Sequence, residues 1–227
     1  MIDSFSCLTL FYFEGFADRW WAFSQMKLAH PRFEKIEGLK FYKLLGSGGG
    51  DGFKPWPNWG VFAFLSHWDN RQVAEKAFAE EDLFCEFKKR TSKQKTFVLE
   101  PISGHGHWDG IMPFKDFYPE NRDMPIAVLT RARIKWSWIL LFWMKVPAVR
   151  KSMRESPNLI QAIGVGELPL IEQATFSVWK DLESLNQYAY SKGKHKEAIV
   201  QTRKVKWYSE EMFIRFNLLE TIEGFPS

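Results

Sequence analysis

The chain has 227 residues, 45% of them apolar and 26% charged, a globular composition with enough apolar surface for one large domain or two small ones. Its net charge of +4 is small for that length, and basic residues alternate with acidic ones, which argues against a nucleic-acid-binding face. The aromatic share is high, 17% with 21 Phe and 11 Trp. Rings in that number either fill a bulky core between packed sheets or wall a site for a flat or long hydrocarbon.

In chain order, the opening MIDSFSCLTLFYFEGF lacks the basic region and small-residue cleavage site of a signal peptide. Residues 8–13 read as a strand and 18–29 as an amphipathic helix. A strand over 39–48 ends in a glycine turn, a second covers 59–68, a helix runs from about 70 to 89, and 95–101 close the unit. The order is βαββαβ over residues 1–102. Residues 103–124, SGHGHWDGIMPFKDFYPENRDM, carry the glycines and prolines of a linker crossing the surface.

Residues 125–227 repeat the pattern: a strand at 125–133, a helix over 136–153, strands at 159–166 and 172–179, a helix from about 181 to 204, and a strand at 210–220. Landmarks pair between the halves: Leu8-Thr9 with Leu129-Thr130, Gly46 and Gly48 with Gly164 and Gly166, Trp68 with Trp179. The expected fold is α+β. Two tandem ferredoxin-like repeats pack their free sheet faces together as an intramolecular dimeric α+β barrel around an apolar chamber. The most apolar run, Trp136 to Met144, is broken by Lys145 and Pro147 and falls short of the roughly 20 residues a spanning helix needs. Cys7 and Cys85, isolated in sequence, suit a reduced, cytoplasmic protein. Peripheral contact of its aromatic faces with an inner membrane is left open.

Among candidate sites, His105, His107 and Asp109 share a segment with three glycines, too loose for a metal cage, and are read as linker residues. His30 and His67 carry no functional pattern. His195 stands one turn ahead of Ala198 and Ile199, so its imidazole can face the sheet. The repeat offset sets Phe84 at the matching place in the first half. A helix-borne histidine is one way to hold haem iron, but a buried histidine bonded to backbone, or one exposed on a lysine-rich helix, fits the same spacing. GSGGGDG (46–52) precedes a strand and lacks GK[ST], so it is read as a hairpin loop, not a phosphate loop. Arg131 and Arg133 share one side of a strand, and Arg215 lies on the closing strand. Inward arginines need acids, whether haem propionates or carboxylates of the protein, and a place at the exposed rim is the alternative.

Seven motifs, in order, resemble the spheroidene monooxygenases of carotenoid biosynthesis: GSGGGDGFKPWPNW (46–59), WDG (108–110), LTRARIK (129–135), GVGELP (164–169), TFSVW (175–179), HKEAI (195–199) and WYSEE (207–211). The resemblance runs nearly end to end. It implies an oxygenase that places a keto group near the end of an acyclic carotenoid, using haem b, O2 and a ferredoxin-type electron donor. It favours His195 as iron ligand, with Arg131, Arg133 and Arg215 as cofactor-binding candidates and Trp143, Phe176 and Trp179 as pocket walls. A haem enzyme of dehydratase type, or a haem- or isoprenoid-binding protein without catalysis, are the alternatives on the same scaffold.

Overall fold

The structure, a computed structural model, describes residues 4–50, 52–190 and 207–226. The first repeat supplies β1 (Phe5–Tyr12), α1 (Phe16–Leu28), a short α2 (His30–Phe33), β2 (Leu39–Gly49), β3 (Lys54–Trp68), α3 (Arg71–Glu80), α4 (Asp82–Arg90) and β4 (Lys93–Gly106). The second supplies β5 (Ile126–Ile134), a 3-10 turn (Trp136–Trp138), α5 (Ile139–Arg154), β6 (Leu159–Gly166), β7 (Glu172–Trp179), α6 (Leu182–Tyr190) and β8 (Tyr208–Glu223). The expected helix over 181–204 is described as far as Tyr190.

Identical local chemistry builds the two halves. Trp68 and Trp179 are both buried at the ends of their strands. Each indole N–H donates to the serine two residues earlier, Ser66 at 2.9 Å and Ser177 at 3.0 Å. Just beyond, Asn70 accepts the Val73 N–H at 2.9 Å and Asp181 the Ser184 N–H at 2.7 Å. Both are N-cap bonds that satisfy an orphan amide and start the next helix.

The strands close into one antiparallel barrel in the order β1-β3-β2-β6-β7-β5-β8-β4. Each repeat contributes the same order, β4-β1-β3-β2 and β8-β5-β7-β6. Counterpart strands meet at both seams, as a two-fold relation between the repeats requires. The β4–β8 seam is long, from Lys95↔Glu223 to Gly106↔Met212. The β2–β6 seam rests on Gly46↔Gly166 and Ser47↔Val165. There the β2–β3 turn crosses onto the second repeat, and a Cβ on Gly164 would lie 2.2 Å from the Gly52 carbonyl oxygen. Gly52 itself sits at φ +92, so the glycine-rich hairpin is a close backbone crossing.

Three expectations are corrected. Among the described residues the barrel interior is filled by Leu8, Leu10, Leu45, Leu65, Phe97, Leu129, Phe176, Ile214 and Phe216 and not opened as a chamber, since eight strands leave room for little more than their own side chains. The segment 103–124 is not simply a surface connection. β4 continues to Gly106, because Gly104 and Gly106 let it pass against β8, where a Cβ on Gly106 would lie 2.1 Å from the Glu211 carbonyl oxygen. Beyond it, Trp108 and Phe114 are buried in the barrel core. The helix expected over 70–89 is two helices, broken at Glu81 where the backbone turns extended (ψ 126). The break aims Leu83, Phe84 and Phe87 of α4 inward.

Outside the barrel, the first repeat packs its helices over Phe11, Phe13, Phe33, Phe62, Phe64, Phe78, Phe84 and Phe87. Among the described residues, the second has a layer of Ile126, Val128, Met153, Trp179 and Leu185. Among the described residues no helix is long and apolar enough to cross a membrane.

Candidate functional site

One mouth of the barrel is closed by charge. Lys43, Arg131 and Glu172 are strand residues, and Trp108 and Asp109 follow β4 into the opening. Lys43 Nζ donates to Glu167 Oε1 at 2.8 Å and to Asp109. The Trp108 indole donates to Glu167 Oε2 at 2.7 Å. Arg131, 1% exposed, donates to Glu210 and lies 3.6 Å from Asp109 and 3.7 Å from Glu172. Its guanidinium stands 5.3 Å from the Trp108 ring. Arg133 bonds Glu172 at 2.6 Å and Asp109 at 2.8 Å. Glu210 also accepts the backbone N–H groups of Asp109 (3.1 Å) and Gly110 (2.7 Å), holding the turn in which Asp109 takes φ +53.

Burial opposes ionisation of Asp109. The hydrogen bond from Lys43 and the charges of Lys43, Arg131 and Arg133 outweigh it, so the carboxyl sits below its ordinary value. Glu210 is likewise depressed, burial being overcome by the Gly110 N–H, the Arg131 hydrogen bond and the Asp109 N–H. The acids that Arg131 and Arg133 face here are therefore the protein's own carboxylates. Leaving the buried Arg131 unpaired would cost about 3–5 kcal/mol, which makes the cluster a stopper of the barrel.

The other sequence candidates lie elsewhere. Phe176 points into the barrel against Phe97, ring centroids 5.0 Å apart. Trp179, three residues on, points to the opposite face of β7 and packs on Tyr188 at 4.8 Å. The two cannot wall one pocket, because side chains alternate along a strand. Arg215 shares Trp179's outer face, directly across from Val128. It lies over Phe213, and its buried Nε has no hydrogen-bond partner. Trp143, on α5, donates to the Leu170 carbonyl at 3.2 Å. His195 lies outside the described residues.

Among the described residues, this outer layer of the second repeat is small. α5 is rich in apolar residues, yet Met153 alone among them is buried, while Ile139, Leu141, Phe142, Trp143, Val146 and Val149 are half-covered. Trp207, stacked on Trp138, buries an indole N–H that also has no partner. Tyr208, near Phe142, has its phenol pushed up to about 12 by burial and then by Glu211. A buried donor without a partner costs about 1–3 kcal/mol, and Arg215 Nε and Trp207 Nε1 are two such donors, eight residues apart in the chain.

Among the described residues, His30, His67, His105 and both cysteines have partners for their side chains. His30 bonds Tyr42 and the Met26 carbonyl; His67 bonds Ser6 inside the barrel; His105 stacks on Phe213. Burial raises the Cys7 thiol to about 12. Among the described residues no three His, Cys, Asp or Glu side chains are placed to hold a metal.

No family model matches the chain. Individual relatives do. It is 37% identical over 216 residues to the spheroidene monooxygenase of Rhodobacter capsulatus, covering 94% of this chain and 90% of that one. Over 216 residues it is also 37% identical to the enzyme of that name from Cereibacter sphaeroides, with 95% and 67% covered. This chain belongs to the spheroidene monooxygenase family. Among solved structures, an aldoxime dehydratase covers 99% of this chain at 11% identity with a TM-score of 0.66, 84% of it being matched. A second, in complex with butyraldoxime, reaches 0.62 at 10% identity, with 100% and 84% covered. At that distance they share the fold.

Within the family frame the mouth cluster explains why scattered motifs belong together. WDG supplies Trp108 and Asp109, LTRARIK supplies Arg131 and Arg133, GVGELP supplies Glu167 and WYSEE supplies Glu210. Lys43, Glu167, Glu172 and Glu210 were not singled out from the sequence. A usable signal was there: Arg133 falls opposite both Glu172 and Glu210 in register, so charges at inward strand positions would have predicted the pairing.

Proposed function

We propose that the protein is a haem-dependent monooxygenase that introduces a keto group into an acyclic, carotenoid-like substrate by successive hydroxylation. The observation that carries this reading is its likeness, over almost its whole length, to relatives named spheroidene monooxygenase. In this reading haem b lies in the outer layer of the second repeat, held through His195. Val128, Phe213 and Trp179 offer a flat apolar wall there, and Arg215, with its unpartnered Nε, offers a donor for a propionate. Arg131 and Arg133 already face carboxylates, so they serve the barrel stopper. Bound haem supplies the activation of dioxygen.

The chain's own part is to place one end of a long hydrocarbon against the reacting centre and to keep water out of an apolar layer. Each hydroxylation puts one atom of O2 into a C–H bond, sends the other to water and takes two electrons from a ferredoxin-type donor. A second hydroxylation at the same carbon gives a gem-diol, which loses water to leave the ketone.

The test uses the full chain reconstituted with haemin. The expected result is a Soret band and, with reductant and O2, ketone products from acyclic carotenoids. His195→Ala should strip the haem or shift the band while the far-ultraviolet circular dichroism stays unchanged. An unchanged Soret band and full activity in His195→Ala would place the ligand elsewhere, and turnover of small polar substrates alone would overturn the carotenoid reading.

A further inference from the structure

One exposed face of α5 and the turn before it is formed by Trp136, Leu140, Met144, Pro147, Lys151 and Arg154. The spacing of three and four keeps them on one side of the helix. The first three are large, apolar and uncovered, at 79%, 76% and 69% exposure. Towards the C-terminal end the same face turns basic. There a shallow groove of about 310 Å³ is lined by Pro147, Arg150, Lys151, Arg154 and Glu155.

Charge on this segment is mostly basic, with Glu155 just past its end and 3.7 Å from Lys151 Nζ. Between positions 135 and 154 the chain carries five basic residues and no acidic one. The Trp143–Leu170 hydrogen bond ties α5 to the β6–β7 turn, whose Leu168 and Leu170 are themselves exposed. Leu168 in turn lines a groove with Trp20 and Phe23 of α1, where Phe16, Trp20, Phe23 and Trp59 form an exposed aromatic row.

We infer that this face of α5 docks on an anionic lipid bilayer, with Trp136, Leu140 and Met144 entering the acyl boundary and the basic end resting on headgroup phosphates. Uncovered large apolar residues in a helical row, beside a net-basic polar complement, are the chemistry of an interfacial amphipathic helix. Exposed tryptophan suits the headgroup level, and a surface of the opposite charge sign completes the match. An acidic protein would satisfy the charge but would leave the row from Trp136 to Met144 without a reason to protrude. The inference goes beyond the catalytic reading, because it is tested by binding alone.

The experiment is co-sedimentation of the full chain with vesicles of phosphatidylcholine, with and without phosphatidylglycerol. Binding is expected only to the anionic vesicles, weakening as salt is raised. The double variant Leu140→Ser/Met144→Ser should lose binding by about tenfold or more, from the apolar area withdrawn. Lys151→Gln should weaken it about fivefold. Both change exposed side chains, so an unaltered melting temperature certifies the fold. Equal binding to neutral vesicles, or retention by the double variant, overturns the proposal. So does an absence of vesicle binding, including the case in which the same residues hold an acidic ferredoxin or a second copy of this chain. Ketone formation plays no part in these readouts, so failure here and failure of the proposed reaction are told apart.

Discussion

The two repeats share strand order, caps and the buried Trp–Ser bond, yet their helix-covered layers differ in kind. In the first, α3 and α4 close on a continuous aromatic mass. Phe84 has no exposure and meets Phe33, Phe64, Phe78 and Phe225 within 5.8 Å between ring centroids. In the second, the described layer rests on Ile126, Val128, Met153, Trp179 and Leu185, with α5 half-covered and two donors left unsatisfied. Duplication gave two equal frames. Among the described residues, the first layer is a dense aromatic mass, while the second repeat keeps two buried donors without partners.

The largest expected effect tests whether the first layer is the structural one. Phe84→Ala should cost about 3–5 kcal/mol, since it opens a cavity among rings that cannot collapse. Leu185→Ala, in the thin layer, should lie near the lower end for such truncations, about 2 kcal/mol. Urea denaturation of the haem-free chain measures both. Equal losses would mean that the second layer is as tightly packed as the first, and the comparison would break.

Much of this was legible in the sequence. Leu8-Thr9, the paired glycines and Trp68 with Trp179 are local marks, each tied to a strand end or a turn, so they survive in a linear reading. The hairpin reading of GSGGGDG also needed only neighbours. The mouth cluster could not be read that way. Lys43, Asp109, Arg131, Glu167, Glu172 and Glu210 come from six separate segments and meet only once the barrel closes. Trp108 and Phe114 sat among glycines and prolines and looked like loop, because nothing local shows that a connector turns inward. The abundance of aromatic residues was read as equally suited to a ligand wall or a bulky core; ten of the 21 Phe pack in or against the outer core of the first repeat.

A middle-sized effect concerns the barrel interior, where the repeats also part. His67 points inward, bonded to Ser6 at 2.8 Å and beneath Phe114, and its counterpart by the repeat offset is Val178. Burial, aided by Lys40 and opposed by Asp116 and Asp69, lowers the His67 pKa from 6.5 to about 4. The unfolded chain therefore binds the extra proton between those values. Stability is full above about pH 6.5, falls as the pH drops through that window and levels off below about 4, a loss on the order of 3 kcal/mol. The depressed carboxyls of Asp109 and Glu210 act further down the scale, so the window belongs to the histidine. Melting temperatures across pH 4–7 should show the slope in the parent chain and lose most of it in His67→Asn. A slope that survives the substitution would mean that another group in the fold carries it.

The smallest effect asks how equal the two frames still are. Ser66 and Ser177 each accept an indole N–H, at 2.9 and 3.0 Å, and Ser66 also lies 3.2 Å from the Cys7 thiol. Replacing either serine by alanine leaves a buried tryptophan donor without its acceptor, at a cost of about 1–3 kcal/mol. In the first repeat no water can reach Trp68 without disturbing the aromatic mass around Phe78 and Phe84, so Ser66→Ala should fall near the top of that range. In the second, Trp179 faces the thin layer, where water or a small displacement can satisfy the indole. Ser177→Ala should therefore cost nearer the bottom, about 1 kcal/mol, and adding haem should widen its penalty if the layer then closes. Unfolding of the two variants, each with and without haemin, reads the difference. Equal penalties in the haem-free chain would show that the frames are packed alike around their tryptophans and would confine the asymmetry to α5.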